Sequence, residues 1–200
     1  MSNKIYAAER ELSLVCLSEE DKENYIKLRR QVTASPIFYD NPELAAIMWE
    51  SAIEGDERNY SIYKEGAYCG NVVLQHSSED IPEIGVDLLE EYRNQGIASK
   101  AIKLLVKTDY KERQGEYYLL RVSSRNLHSK HMVEKMGAVF IGYEESEFVT
   151  FMRKLREIAG DCDWSTVSDK MKKYFDADDE QDEEIVYRYK LTPDVFLYAV

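Results

Sequence analysis

EYRNQGIASKAI, Glu91 to Ile102, sets an arginine, two side-chain amides and a glycine directly ahead of a run with helical periodicity, in a chain of net charge −12. An apolar alternating run ends near Leu88 just before it, so the stretch reads as a strand, a short loop and a helix opening at Gly96 or Ile97. The free backbone N–H groups of Asn94 to Ala98 then stand at the positive end of a helix, where an anion is favoured. Phosphate is the anion such a turn suits, with Gly96 allowing close approach and Arg93 adding charge-assisted bonds. A plain structural turn is the other reading of a glycine at this junction.

Working outward, the hydrophobic pattern predicts alternating layers. Glu11 to Leu17 reads as a first strand, and SEED (Ser18 to Asp21) as an N-cap before a helix carrying Tyr25, Leu28 and Val32 and ending near Ala34, ahead of Pro36. Asn41 and Pro42 start a second helix, with Leu44, Ile47, Met48 and Ala52 on one face and Gly55 as its stop. The period then drops to 2: Asn59 to Lys64, a turn at Glu65 and Gly66, and Ala67 to His76 form a hairpin. Ile81 to Leu89 follows as a strand with Ile84, Val86 and Leu88 on one face and Glu83, Gly85 and Asp87 on the other. A helix from Ile97 to about Glu112, a strand from Glu116 to Ser124, a short helix from Leu127 to Met136 capped by Gly137, and a strand from Ala138 to Tyr143 complete this part.

Beyond it the pattern loosens. Ser146 to Ile158 and Ser165 to Phe175 are expected helices, Asp176 to Glu184 packs seven acids into nine residues and is expected to be a solvated loop, and Ile185 to Leu191 is expected to be a last strand. The organisation expected is one domain over 1–200, with a helical and acidic insertion at about 144–184 before the final strand at 185–191.

At 44% hydrophobic and 32% charged the composition is that of an ordinary water-soluble globular protein. No apolar run approaches the roughly 20 residues that cross a bilayer, and MSNKIYAAERELSL lacks the apolar core of a secretory signal, so a cytoplasmic location and no membrane partner are expected. Three scattered cysteines offer neither a disulfide framework nor metal spacing; burial is expected for Cys16 and Cys69. His128 and His131 have no third ligand nearby, and no metal site is expected. No nucleic-acid module is present. Charge is uneven: Tyr92 to Met136 holds ten Lys or Arg against four acids, a net of +6, leaving −18 for the remainder. This island fits a locally held anion and a cationic partner elsewhere, although a lysine row on a solvent face reads the same way.

RNQGIA (Arg93 to Ala98) resembles the Q/R-x-x-G-x-G/A pyrophosphate loop of the GCN5-related N-acetyltransferase (GNAT) superfamily. The longer Glu83 to Ile102 is similar to its RimJ/RimL-like subgroup. Asn126, Ser129, Glu134, Lys135 and Gly137 resemble a second family motif, N-x-x-S-x-x-x-x-E-K-x-G. The resemblance spans about Glu83 to Tyr143. It implies an α/β (α+β) fold with a mixed, mostly antiparallel sheet of about six or seven strands, flanked by helices and splayed between its fourth and fifth strands.

It also implies acetyl-coenzyme A as co-substrate. The pyrophosphate would lie on the loop Arg93, Asn94, Gln95, Gly96, Ile97, Ala98 and Ser99, the pantetheine arm along the strand edge near Leu88, and Asn126 and Ser129 close by. Lys100, Arg125 and Lys130 are candidates for a 3′-phosphate. The acceptor implied is a primary amine, a protein N-terminus or a small cationic amine, with a homodimer as an open option. A primary alkyl amine is protonated at neutral pH, so a base is needed; Glu83 stands where relatives often have one, and Asp87 shares its face. Many relatives place a tyrosine at the position of Val133 to protonate the departing thiolate, and none stands there. A non-catalytic acyl-coenzyme A sensor is the rival reading.

Overall fold

The computed structural model of the chain describes residues 4–33, 36–146, 150 and 185–197. Among them one mixed sheet is built from β1 (Ile5–Glu9), β2 (Leu12–Cys16), β3 (Arg58–Lys64), β4 (Ala67–Gln75), β5 (Glu83–Leu88), β6 (Tyr118–Ser123), β7 (Val139–Glu145) and β8 (Ile185–Leu191). The spatial order is β1-β2-β3-β4-β5-β6-β8-β7, and every neighbouring pair is antiparallel except β5 and β6. The sheet has eight strands where six or seven were expected. The extra one is β1, whose IYAAE carries two alanines and little intrinsic strand preference; pairing with β2 decides its state.

Helices α1 (Lys22–Val32), α2 (Ile37–Asp40), α3 (Pro42–Glu54), α4 (Ile97–Arg113), α5 (Leu127–Lys135) and α6 (Asp194–Leu197) flank the sheet. None of the described helices is long and apolar enough to cross a membrane. Asn41 caps α3 as its position predicts, accepting from the N–H groups of Glu43 and Leu44 at 2.9 and 3.1 Å. The buried face of α3 differs from the one expected: Ala45, Trp49 and Ala52 point inward while Ile47 is exposed. The Trp49 indole fixes that rotation by donating to Glu19 Oε1 at 3.0 Å and packing on Tyr25. Asp21, the last residue of the SEED cap, is fully buried. It accepts from the Ser18 N–H at 3.1 Å and the Tyr63 hydroxyl at 2.5 Å, tying the start of α1 to β3.

One face of the sheet carries the main core. Ile97, Ala101, Ile102 and Leu105 of α4 pack on Leu14, Ile62, Val72, Leu74, Ile84, Leu120 and Leu191. Alternation therefore sends Glu83, Gly85 and Asp87 to the opposite face, toward α1, as their period predicts. Cys69 is fully buried as expected, whereas Cys16 is half-buried. Asp109 of α4 sits in the core among lysine neighbours that gave no hint of it. It accepts from the Tyr118 hydroxyl at 2.7 Å and lies 3.6 Å from Arg58, pinning α4 to β6 and β3.

The parallel pair is the least paired part of the sheet. β5 and β6 register at one position, Glu83 opposite Leu119, supported by the Leu119 N–H on the Pro82 carbonyl at 2.9 Å. From there the two strands run on without further pairing, β5 held on its other side by β4 and β6 by β8. This is the expected splay, and it opens a cleft inside the sheet. β7 extends to Glu145, opposite Ile185, so the long connection to β8 begins two residues later than its expected start at Glu144. The expected helices at 146–158 and 165–175 and the acidic loop at 176–184 lie outside the described residues, apart from Ser146 and Thr150.

Close approach of β4 to β5 holds one wall of the cleft. A Cβ on Gly70 would lie 2.1 Å from the Asp87 carbonyl oxygen. Gly70→Ala should therefore push the strands apart and cost about 1–3 kcal/mol. Urea unfolding monitored by tryptophan fluorescence should show a lowered midpoint, and an unchanged midpoint would mean that this contact does not constrain the wall.

Candidate active site

At the open end of β5 the chain turns through a short 3-10 segment, Glu90–Tyr92, and enters α4 through two residues in the left-handed region, Asn94 (φ 59) and Gly96 (φ 72). Gly96 is the N-cap of this 17-residue helix, and no side chain caps it. The first amides of α4 therefore lie at its positive end without a side-chain oxygen on them. A Cβ at Gly96 would meet nothing within 4 Å, so the glycine serves its backbone angle and not a need for space.

The loop side chains are largely used to shape the loop. Arg93 Nε donates to the Leu88 carbonyl at 3.1 Å, Gln95 Nε2 to the Glu91 carbonyl at 2.7 Å, and Ser99 Oγ to the Gly96 carbonyl at 3.0 Å. Ile97 is buried beneath the helix as its anchor and Ala98 packs on the same core. These side chains are thus engaged within the loop, and Arg93 spends one donor on the end of β5. Beyond β6, Asn126 caps α5 by accepting from the Ser129 N–H at 3.0 Å. Gly137 ends the helix at φ 90, and the Tyr189 hydroxyl donates to Glu134 Oε1 at 3.0 Å, tying α5 to β8. Burial and that carboxylate push Tyr189 up to about 12. Val133, at 2% exposure, is a core residue.

Glu83 and Asp87 share a face but stand four residues apart on a strand, about 13 Å, so they cannot serve one proton together. Glu83 lies at the apex of the cleft, 3.6 Å from Arg121 of β6. Arg121 also lies 2.5 Å from Glu144 of β7, which reaches Arg188 of β8 at 3.5 Å. Asp87 lies at the open end, 2.7 Å from Arg29 of α1, and Arg29 Nε donates to the Tyr39 hydroxyl at 3.3 Å. Burial pushes the Asp87 carboxyl up, and Arg29 and Arg93 pull it back only in part; for Arg29 burial is the largest influence and lowers it, but Asp87, Tyr25 and Tyr39 together outweigh it and raise the guanidinium. Arg29, Arg121 and Glu144 were not singled out from sequence, since the ion pairs they form join residues 23 to 58 positions apart.

The basic island is also less free than its count suggests. Lys100 bridges to Glu11 at 3.1 Å, Arg113 to Asp109 at 3.5 Å, and Lys103 and Lys130 lie over the rings of Phe196 and Tyr187.

Residues 11–139 match the family model for the acetyltransferase (GNAT) domain, which covers the cleft, the loop and α5. The chain belongs to the GNAT acetyltransferase family. Solved GNAT structures share its fold at low identity. RimL, a ribosomal L7/L12 alpha-N-protein acetyltransferase in complex with coenzyme A, has a TM-score of 0.68 at 13% identity, covering 96% of this chain and 99% of its own. A dodecameric spermidine N-acetyltransferase from Vibrio cholerae gives 0.64 at 17%, covering 94% and 97%. The microcin C7 self immunity acetyltransferase MccE, in complex with acetyl-CoA and AMP, gives 0.64 at 15%, covering 92% and 93%. Comparison with curated protein sequences gave no match. Within this GNAT chain, the first motif read from sequence leads into α4 and the second spans α5 from its cap Asn126 to Gly137.

The Arg29 to Asp87 contact links α1 to the open end of the cleft, and each side chain keeps about a third of its surface exposed. A double-mutant cycle with Arg29→Met and Asp87→Asn, read by thermal unfolding, should give a coupling of about 0.5–1 kcal/mol. Additive effects would show that the pair does not hold α1 to β5.

Proposed function

We propose that this chain is an acetyl-coenzyme A-dependent N-acetyltransferase acting on a cationic primary amine. The observation that carries the reading is the uncapped amino end of α4, turned by a left-handed Gly96, at the mouth of a cleft where β5 and β6 cease to pair. The amides from Asn94 to Ser99 would hold the pyrophosphate, and the unpaired edge of β5 near Leu88 would pair with the amide-bearing arm as an added strand does. Asn126 fits as the residue that sets the far rim, because its oxygen is committed to capping α5. When bound, acetyl-coenzyme A supplies an acyl thioester whose C–S bond breaks as the N–C bond to the amine forms.

This chain's own task is the proton. The acceptor arrives as an ammonium and has no lone pair until a base removes a proton from it. Glu83 fits that role better than Asp87: it stands at the closed end of the cleft, 12% exposed and beside Arg121, which favours its ionised form. Asp87, raised by burial and clamped by Arg29, fits as a structural link between α1 and β5.

A cationic acceptor is supported by the α1 to α3 side. Nine exposed acids (Glu19, Glu20, Glu23, Asp40, Glu43, Glu50, Glu54, Asp56 and Glu57) outnumber Lys22, Lys27, Arg29 and Arg30 there. Similar folds are found in both a spermidine N-acetyltransferase and a protein α-N-acetyltransferase, and a protein N-terminus or a polyamine is the class to try first. One observation favours the non-catalytic sensor instead: both strand carboxylates already have arginine partners.

Free-thiol release from acetyl-coenzyme A with a panel of polyamines, aminoglycosides and N-terminal peptides separates the two. Acceptor-dependent release is expected, falling about 100-fold or more in Glu83→Gln with cofactor binding intact; tight binding without release would establish the sensor. Gly96→Ala tests the loop. An alanine at φ 72 is strained by about 1–2 kcal/mol, so the free loop should relax away and coenzyme A should bind about five- to thirtyfold more weakly by calorimetry. Gly96→Asn, which tolerates this region better, should recover most of the affinity, and equal affinity in all three proteins would detach the loop from the cofactor.

A further inference from the structure

Four charged side chains on the polar face of the sheet are linked by contacts of alternating sign, Glu83 on β5 to Arg121 on β6, Arg121 to Glu144 on the edge strand β7, and Glu144 to Arg188 on the intervening β8. Burial decreases along the row, from 12% side-chain exposure at Glu83 through 20% and 32% to 41% at Arg188. Its buried end is therefore the proposed base and its outer end meets solvent. Arg121 and Arg188 face each other directly across the β6–β8 ladder, an arrangement of like charges that is unfavourable unless a carboxylate lies between them. Glu144 supplies that carboxylate, one oxygen toward each arginine.

We propose that Arg121 is a positioning residue for Glu83 and that Glu144 sets how much of Arg121's charge reaches it; this rests on Glu83 being the base. The distances divide that charge unequally. Arg121 stands 2.5 Å from Glu144 and 3.6 Å from Glu83, so of these two carboxylates Glu144 takes the larger share of the guanidinium. Were Glu83 its sole partner, the carboxylate would be held ionised so firmly that it would be a poor proton acceptor. With no arginine, a carboxyl this buried would resist ionising at all. The shared arrangement keeps Glu83 ionised and still basic, and orients it at the apex of the cleft.

Other groups near Glu83 are weaker candidates for this control. Gln75, its cross-strand partner on β4, is neutral and bonded to Glu57 at 3.1 Å, and the Arg29 to Asp87 pair is about 13 Å away along β5. Lys190, the remaining cation on the polar face of β8, is paired with Glu116 at 2.9 Å.

The two partners act on Glu83 in opposite senses, which a merely structural role would not reproduce. Turnover at saturating acetyl-coenzyme A and amine is measured against pH for the wild type, Arg121→Gln, Arg121→Lys and Glu144→Gln, with coenzyme A affinity and thermal midpoint as controls. In Arg121→Gln the acid limb should move to higher pH by about one unit, and in Glu144→Gln it should move to lower pH. Arg121→Lys, which keeps the charge, should return the limb close to the wild-type position. Should Arg121→Gln fail to fold, the Lys and Glu144→Gln proteins still give the test. Limbs that stay together, or move the same way, while Glu83→Gln loses turnover would overturn the inference and leave Glu83 as the base. Full turnover in Glu83→Gln would instead remove the base itself and the inference with it.

Discussion

The single paired position between β5 and β6, Glu83 opposite Leu119, is the constraint on which the rest of this structure depends. Two parallel strands in the middle of a sheet ordinarily exchange hydrogen bonds along their length, and edges left unpaired invite other strands. Here one edge of each strand faces a gap that the sheet itself encloses. The fold must hold these strands without a ladder between them, and it does so on both faces. Below, α4 lays Ile97, Ala101, Ile102 and Leu105 against residues from both sides of the gap. Above, Arg121 spans the apex to Glu83.

That geometry explains how the loop and the cleft come to be one site. Because β5 is pressed against β4 by Gly70, and its end is gripped by Arg93 on the Leu88 carbonyl, the chain leaves the sheet at a fixed place and angle. The left-handed Asn94 and Gly96 then aim the start of α4 back over the gap. Helix burial fixes the other end: Asp109 bonded to Tyr118 prevents α4 from sliding along the sheet. An uncapped helix terminus and an unpaired strand edge are each costly alone. Side by side they present backbone donors and acceptors to a long polar anion with an amide-bearing arm.

Much of this was legible in the sequence because its signals are local. The period change after Gly55, the turn at Glu65 and Gly66, the cap at Asn41 and the glycine at 96 each act over a few residues, and each element they predicted is present. The turn into α4 was legible for the same reason, whereas Asn126 was reached only through the family motif it resembles. Where the reading fell short, tertiary contacts decided. β1 forms because β2 offers an edge, α3 turns Trp49 inward because Glu19 accepts from it, and Asp21 and Asp109 are buried because tyrosines reach them from β3 and β6. Charge pairing was hidden from the sequence in the same way. A count of ten cations suggested a surface for a polyanion, but Arg113, Arg121, Lys100 and Lys103 have partners within the fold.

Charge in this chain is therefore better understood by what each group is paired with than by regional totals. The acids of the α1 to α3 side are mostly exposed and can draw a cationic acceptor over a distance set by screening, roughly 8–10 Å at ordinary ionic strength. Attraction of that kind raises encounter and favours ammonium, the form that cannot react. The acceptor must then lose its proton where the field is local and the partners are fixed, and the apex of the cleft is such a place. A surface that gathers charged amines and a buried carboxylate that neutralises them one at a time are complementary requirements. The fold meets both by leaving an excess of exposed acids outside and holding Arg29 and Arg121 against carboxylates at the cleft.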